Sequence, residues 1–223
     1  AREKEYAERI KRLGGVEKPA KCFAIVVEAL EHNPDQDFLG KLYMSLELGN
    51  HWKGQFFTPY NVCECMASIT INDNVQTLEK QEWISVNDPA CGAGATLVAA
   101  ANIFHRKKIN YQTRVLFTAN DIDRVVAQMC YIQLSLLGCA GWVAVANTIS
   151  NPVCGDPLMP VEKPGQEFWY TPFYFREEWN CRRQVQIFKE ICGSWITPIE
   201  ERNPGKITFY FDFEKGEYKC QNS

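Results

Sequence analysis

The chain has 223 residues, of which 46% are hydrophobic and 23% charged, with a formal net charge of −3. That length suits one ordinary globular core with an appendage, and no apolar run approaches the ~20 residues of a membrane span. The negative balance argues against strong, unaided binding to nucleic acid, and with no signal peptide at its start the expected setting is cytoplasmic.

Residues 1–50 read as a small helical region of their own. Residues 1–13 are charged and amphipathic and stop at Gly14-Gly15. Ala20 to Glu31 places Phe23, Val26, Val27 and Leu30 on one face, and Asn33-Pro34 breaks the pattern. Asp37 is placed to cap a third helix carrying Phe38, Leu39, Leu42, Tyr43 and Leu46, with Gly49 closing it. Residues 51–223 read as an α/β domain that ends in a short β-hairpin. It opens with Gln55-Phe56-Phe57-Thr58-Pro59, in which Thr58 is a good N-cap and Pro59 a good first helical residue. The helix they start is expected to bury Val62, Met66 and Ile69 at i, i+4 and i+7. Capping does not account for the two phenylalanines before it, which are placed to wall a pocket.

Val86-Asn87-Asp88-Pro89-Ala90-Cys91-Gly92-Ala93-Gly94-Ala95-Thr96 reads as the end of a buried strand begun at Trp83, a glycine turn and the start of a helix. Leu97, Val98, Ala101 and Phe104 then recur at helical spacing. Free N–H groups at such a helix start can hold a carboxylate or phosphate, although a tight strand–helix turn needs the same glycines. Val115 to Ala119 make a second strand that runs into Asn120-Asp121-Ile122-Asp123. In nucleotide-binding α/β folds, an acidic residue at that strand end accepts hydrogen bonds from ribose hydroxyls. Asp121 is the better candidate, because Asp123 sits where it can cap the next helix, Arg124 to Leu137, stopped by Gly138. A third strand spans Trp142 to Ala146, followed by a loop in which Asp156 is either a turn residue or a ligand contact. A fourth strand from Glu167 runs into the aromatic turn Thr171-Pro172-Phe173-Tyr174-Phe175, whose proline places it at the strand end, on the pocket side. A helix from Trp179 to Cys192 and a hairpin of Ile207–Phe213 with Tyr218–Cys220 complete the chain.

Ten cysteines are scattered through apolar or helical stretches. No CxxC occurs, and His32, His51 and His105 neighbour no cysteine pair, so reduced, buried thiols and no metal are expected. The basic clusters His105-Arg106-Lys107-Lys108 and Arg176 with Arg182 and Arg183 read as solvated surface.

The ordered set Gln55-Phe56-Phe57-Thr58-Pro59, Asp88-Pro89-Ala90-Cys91-Gly92-Ala93-Gly94, Asp121-Ile122-Asp123 and Gly155-Asp156 resembles an adenine-N6 DNA methyltransferase, and more closely the modification subunits of type I restriction systems. The lead-in Gln36-Asp37-Phe38-Leu39-Gly40-Lys41-Leu42-Tyr43 is similar to the end of that family's helical N-terminal region. The resemblance implies a reduced Rossmann-like sheet that binds S-adenosylmethionine (SAM) at its strand ends. It implies that Phe57, Thr58 and Pro59 border the methionine part and that Asp88, Ala90, Gly92 and Gly94 form the loop beneath it. Asp121 would hold the ribose, Ile122 the adenine face and Asp156 the adenine amine. The family's catalytic Asn-Pro-Pro-aromatic motif aligns with Thr171-Pro172-Phe173-Tyr174, so threonine stands for the asparagine and phenylalanine for the second proline. Pro172 keeps the carbonyl, and Tyr174 the stacking ring, that would receive a flipped adenine. The activity implied is methyl transfer to that adenine's amine, with a specificity or other partner subunit reading the DNA. The alternative is a SAM-binding regulatory or assembly subunit whose catalysis has lapsed.

Overall fold

The computed structural model describes residues 2–46, 57–195, 207–212 and 217–222; Gly49, His51, Gln55 and Phe56 lie outside them. The chain forms two compact units, residues 1–183 and 184–223.

Three helices come first: α1 (Arg2–Arg12), α2 (Glu17–His32) and α3 (Phe38–Ser45). Asp37 caps α3, its carboxylate accepting the Gly40 N–H at 2.9 Å. On α2 only Leu30 is fully buried, and Phe23, expected on the packed face, is exposed. Helix α4 (Tyr60–Lys80) begins one residue later than its capping pattern suggests. The Pro59 carbonyl accepts the Val62 and Cys63 N–H groups, so Pro59 is the cap and Thr58 precedes it. Its packed face is also rotated from the expected one. Cys63, Ala67 and Ile71 are buried, whereas Val62, Met66 and Ile69 are exposed. Smaller residues face the core because α4 lies close along the next helix of the chain, Ala95–Arg106.

The sheet then builds as strand, helix, strand: β1 (Ile84–Asp88), α5 (Ala95–Arg106), the single turn α6 (Tyr111–Arg114), β2 (Val115–Asp121), α7 (Arg124–Leu136) and β3 (Ala140–Val145). A two-stranded excursion follows, β4 (Cys154–Asp156) with β5 (Met159–Val161), and then β6 (Glu167–Tyr170), a 3₁₀ turn over Pro172–Phe175 and α8 (Glu177–Trp195). The second unit holds the antiparallel pair β7 (Ile207–Asp212) and β8 (Glu217–Asn222).

The sheet order is β1-β2-β3-β6. β1, β2 and β3 are parallel, joined through helices as parallel strands must be. This is a Rossmann-like α/β arrangement with an antiparallel strand, β6, at one edge. β2 is covered on both faces, which is why its sequence is continuously apolar rather than alternating. Val115, Phe117 and Ala119 point into a cluster with Leu97, Phe104, Cys130 and Leu134 of α5 and α7. Leu116 points the other way, into a cluster with Trp142, Phe168, Tyr174 and Trp179. Each of these fully buried large side chains contributes on the order of 1.5–3 kcal/mol. β1, expected to be a buried strand, is instead an edge strand: Ser85 and Asn87 are exposed. Cys63, Cys91, Cys130 and Cys139 are buried, free thiols, while Cys22, Cys65, Cys154 and Cys181, also free, are exposed. The described residues contain no helix long and apolar enough to cross a membrane and no metal-ligating group.

Candidate cofactor site

The loop between β1 and α5 is held from both sides. The Asp88 carboxylate accepts the Ala90 N–H at 3.1 Å, and the Cys91 N–H donates to the Asn120 carbonyl at the end of β2, 2.9 Å away. Thr148, beyond β3, donates its hydroxyl to the Pro89 carbonyl at 2.6 Å. Gly92 and Gly94 both adopt left-handed φ values, 52° and 93°. A side chain at either would also collide. A Cβ on Gly94 would stand 2.7 Å from the Cys130 sulfur, and one on Gly92 would press on the Phe57 ring at 3.2 Å. Phe57 thus fills the space left by Gly92, and its outer face stacks on Tyr43 with centroids 5.6 Å apart.

Asp121, the last residue of β2, ties this loop to the next. One carboxylate oxygen accepts the Gly92 N–H at 2.8 Å and the other accepts the Asp123 N–H at 2.8 Å. Asp123 in turn caps α7 by accepting the Val125 N–H. A carboxylate oxygen has two lone pairs, so each Asp121 oxygen keeps one for a ligand. Ile122, between the two acids, is 67% exposed. The Cys91 thiol is held protonated: its hydrogen bond with Cys130, and then burial, push its pKa well above the usual thiol range.

These groups enclose a cavity of about 490 Å³ at the carboxyl ends of β1 and β2. That is the size range of cofactor sites, and this is the position at which open α/β sheets bind ligands. Of the residues expected to bind cofactor, Phe57, Thr58, Ala90, Gly92, Asp121 and Ile122 line it. Asp88 and Gly94 shape the loop from behind. Pro59 lines an adjoining cavity of about 640 Å³ that shares Asp37, Phe57 and Thr58 with the first. Sequence reasoning missed Asp37, Thr96 and Val126, which also line the main cavity. The available signal was Gln133, a polar residue on the apolar face of α7. It is wholly buried and donates to both Asp37 Oδ1 (2.9 Å) and the Ala93 carbonyl (2.8 Å).

Two sets of expected site residues are not brought to this cavity. Asp156 is not at this cavity. Its carboxylate accepts the Leu158 N–H at 2.8 Å within the β4–β5 hairpin. Thr171, Pro172, Phe173 and Tyr174 also lie elsewhere. Because β6 is antiparallel, its end returns to the start of β3, where the Thr171 N–H donates to the Gly141 carbonyl at 2.9 Å. Gly141 is level with Phe117, four residues before Asp121. The turn therefore sits about 13 Å along the strands and about 10 Å across them from Asp121. Thr171 is fully buried; its hydroxyl donates to the Cys139 carbonyl at 2.7 Å and accepts the Gly141 N–H at 3.0 Å. The Tyr174 hydroxyl donates to the Leu158 carbonyl, and the Phe173 ring packs against Gly138. The Thr171 and Tyr174 hydroxyls are thus both engaged with backbone carbonyls of the core.

Comparison with curated proteins and with solved structures gives no match. The family model described as N-6 DNA methylase matches residues 35–172. That span, more than half of the chain, runs from the buried Asp37 through the glycine loop and Asp121 to the Thr171 turn. The chain therefore belongs to the N-6 DNA methylase family.

Proposed function

We propose that the cavity holds SAM, and that the chain is the cofactor-binding part of a DNA adenine-N6 methyltransferase that takes its DNA contacts from a partner subunit. The observation that carries this reading is Asp121: a carboxylate anchored by two backbone N–H groups, with one lone pair on each oxygen facing a cavity of cofactor size. A vicinal diol matches that pair of acceptors. The Gly92 N–H orients that carboxylate, and exposed Ile122 offers an apolar face to a purine. Phe57, Thr58 and Pro59 border the remaining end, where the methionyl part would lie. When bound, SAM supplies an electrophilic methyl group for transfer to an exocyclic amine. The need for a partner rests on charge: among the described residues, three carboxylates and no Lys, Arg or His line the cavity. DNA phosphates would gain nothing from that lining.

One observation favours a second reading, a SAM-binding assembly subunit without catalysis of its own. Among the described residues no side-chain amide lines the cavity, and Thr171 is sealed in the core. Calorimetric titration with SAM, with Asp121→Asn as control, tests the shared part of both readings. Absence of binding by the folded wild-type chain refutes it. Given binding, transfer of radiolabelled methyl to adenine-containing DNA, alone or with partner subunits, selects the methyltransferase; no transfer under any condition selects the assembly subunit.

A further inference from the structure

Asp37, at the head of α3, brings a carboxylate to the cavity, and among the described residues no basic side chain pairs with it. It is only 4% exposed. Both of its hydrogen bonds fall on one oxygen: Oδ1 accepts the Gly40 N–H and a Gln133 side-chain N–H, each at 2.9 Å. Among the described residues no donor reaches Oδ2. The fold reserves space for that atom, since a Cβ on Gly40 would stand 1.9 Å from it. Lys41 lines the adjoining cavity too, but its ammonium lies over the Tyr60 ring at 5.8 Å, and no ion pair joins Asp37 to a basic side chain among the described residues. A buried carboxylate is stable when paired with a cation or fully hydrogen-bonded. Here Oδ2 has no partner among the described residues, and Asp37 lines the cavity.

The carboxylate is also rigidly placed. Gln133 spends its amide on Asp37 Oδ1, on the Ala93 carbonyl of the glycine loop and, as acceptor, on the Leu39 N–H at 3.2 Å. Asp37, Phe57 and Thr58 are common to both cavities, whereas Asp121, Ile122 and Asp123 line the first alone. Asp37 therefore stands at the end of the site away from the acids that follow β2. With the ribose at Asp121, the group that reaches Asp37 is the aminoacyl tail.

We propose that Asp37 is a cofactor-positioning residue whose Oδ2 accepts a hydrogen bond from the α-ammonium of the SAM tail, making the N-terminal helical layer part of the cofactor site. This rests on the cofactor reading given above. The missing cation arrives with the ligand, and the Gly40 N–H and Gln133 hold its partner in place beforehand.

The test titrates the full chain and its Asp37→Asn variant with two probes: S-adenosylhomocysteine, which carries the tail, and 5′-methylthioadenosine, which lacks it. Asparagine caps a helix as well as aspartate does, so α3 is retained. Asp37→Asn is expected to weaken S-adenosylhomocysteine about 10- to 100-fold, the range of a hydrogen bond to a charged group, and to leave methylthioadenosine unchanged. Equal affinity of the two proteins for S-adenosylhomocysteine overturns the proposal, and so does an equal loss for both probes, which would make Asp37 a structural cap only. If the variant does not fold, the wild-type chain is titrated with S-adenosylhomocysteine and its deaminated analogue. A preference of about 10-fold or more for the amine is expected, and equal affinities overturn the proposal. A folded wild-type chain that binds neither nucleoside removes the cofactor reading itself, whereas binding that is indifferent to Asp37 removes this inference alone.

Discussion

The sheet ends twice in a turn next to a polar side chain, once at Asp121 and once at Thr171, and the two turns treat their polar atoms in opposite ways. At the carboxyl ends of β1 and β2 the chain leaves the sheet through glycines, and the Asp121 oxygens keep lone pairs on a cavity. At the start of β3, the turn after β6 folds back on the sheet, and the Thr171 hydroxyl spends its proton on Cys139 and a lone pair on the Gly141 N–H. One end leaves its polar atoms on a cavity and the other uses them to close a core. Substitutions at the first should therefore change binding with little change in stability, and substitutions at the second should do the reverse.

The largest effect is expected at the closed end. A Cβ on Gly141 would stand 1.7 Å from the Phe117 carbonyl oxygen, a backbone atom in the middle of the sheet that cannot move aside. Gly141→Ala should cost about 3 kcal/mol or more in urea denaturation. Thr171→Val is the sharper test. It removes the hydroxyl that accepts the buried Gly141 N–H, so it should cost about 1–3 kcal/mol of stability while SAM affinity stays unchanged. Thr171→Asn, which would restore the family's amide, should also destabilise, because the larger polar group has no cavity to enter. A gain in DNA methylation from that variant would break the comparison.

Asp121→Asn probes the open end. It should weaken SAM by about 1–3 kcal/mol, read by calorimetry, with a smaller change in stability, because an amide oxygen can still accept the Gly92 N–H. Ile122→Ala should lower affinity by about 1 kcal/mol and leave the denaturation midpoint in place, because the residue is already 67% exposed. A loss of stability from either variant comparable to that of Thr171→Val would mean that the open end also serves the core.

The contrast explains which features could be read from the sequence. Local signals survived: the apolar runs of β2 and β3, the glycine turn and the Asp37 and Asp123 caps all depend on neighbours within a few residues. Strand direction did not. Glu167–Tyr170 was legible as a strand followed by an aromatic turn, but nothing in those residues states that it runs antiparallel to β3, and that one fact carries Thr171 away from the cavity. The same limit applies to α4. Val62, Met66 and Ile69 have the spacing of a packed face, yet close approach of α5 selects the face of Cys63 and Ala67. Asp37 was legible as a cap but not as part of the site, because its second role depends on Gln133, 96 residues later.

The smallest effect concerns the tie between α1 and the sheet. Arg124, the first residue of α7, pairs with Glu5 at 2.6 Å and with Glu167 of β6 at 2.8 Å, so one guanidinium joins a residue beside the open end to the strand that leads to the closed one. The Arg124 hydrogen bond, reinforced by Arg9, lowers the Glu5 pKa from 4.5 to about 2. A carboxyl group whose pKa is depressed on folding stabilises the fold fully above its unfolded pKa and loses that contribution as pH falls toward the folded one. Glu5→Gln should therefore lower the melting temperature slightly at neutral pH, and the difference from wild type should shrink between about pH 4.5 and about pH 2. The pair is only partly buried, so the effect should also shrink in high salt. SAM affinity measured at neutral pH should not differ between the two proteins. If it does, the guanidinium transmits strain from β6 to the Asp123 cap, and the two ends of the sheet are coupled rather than independent.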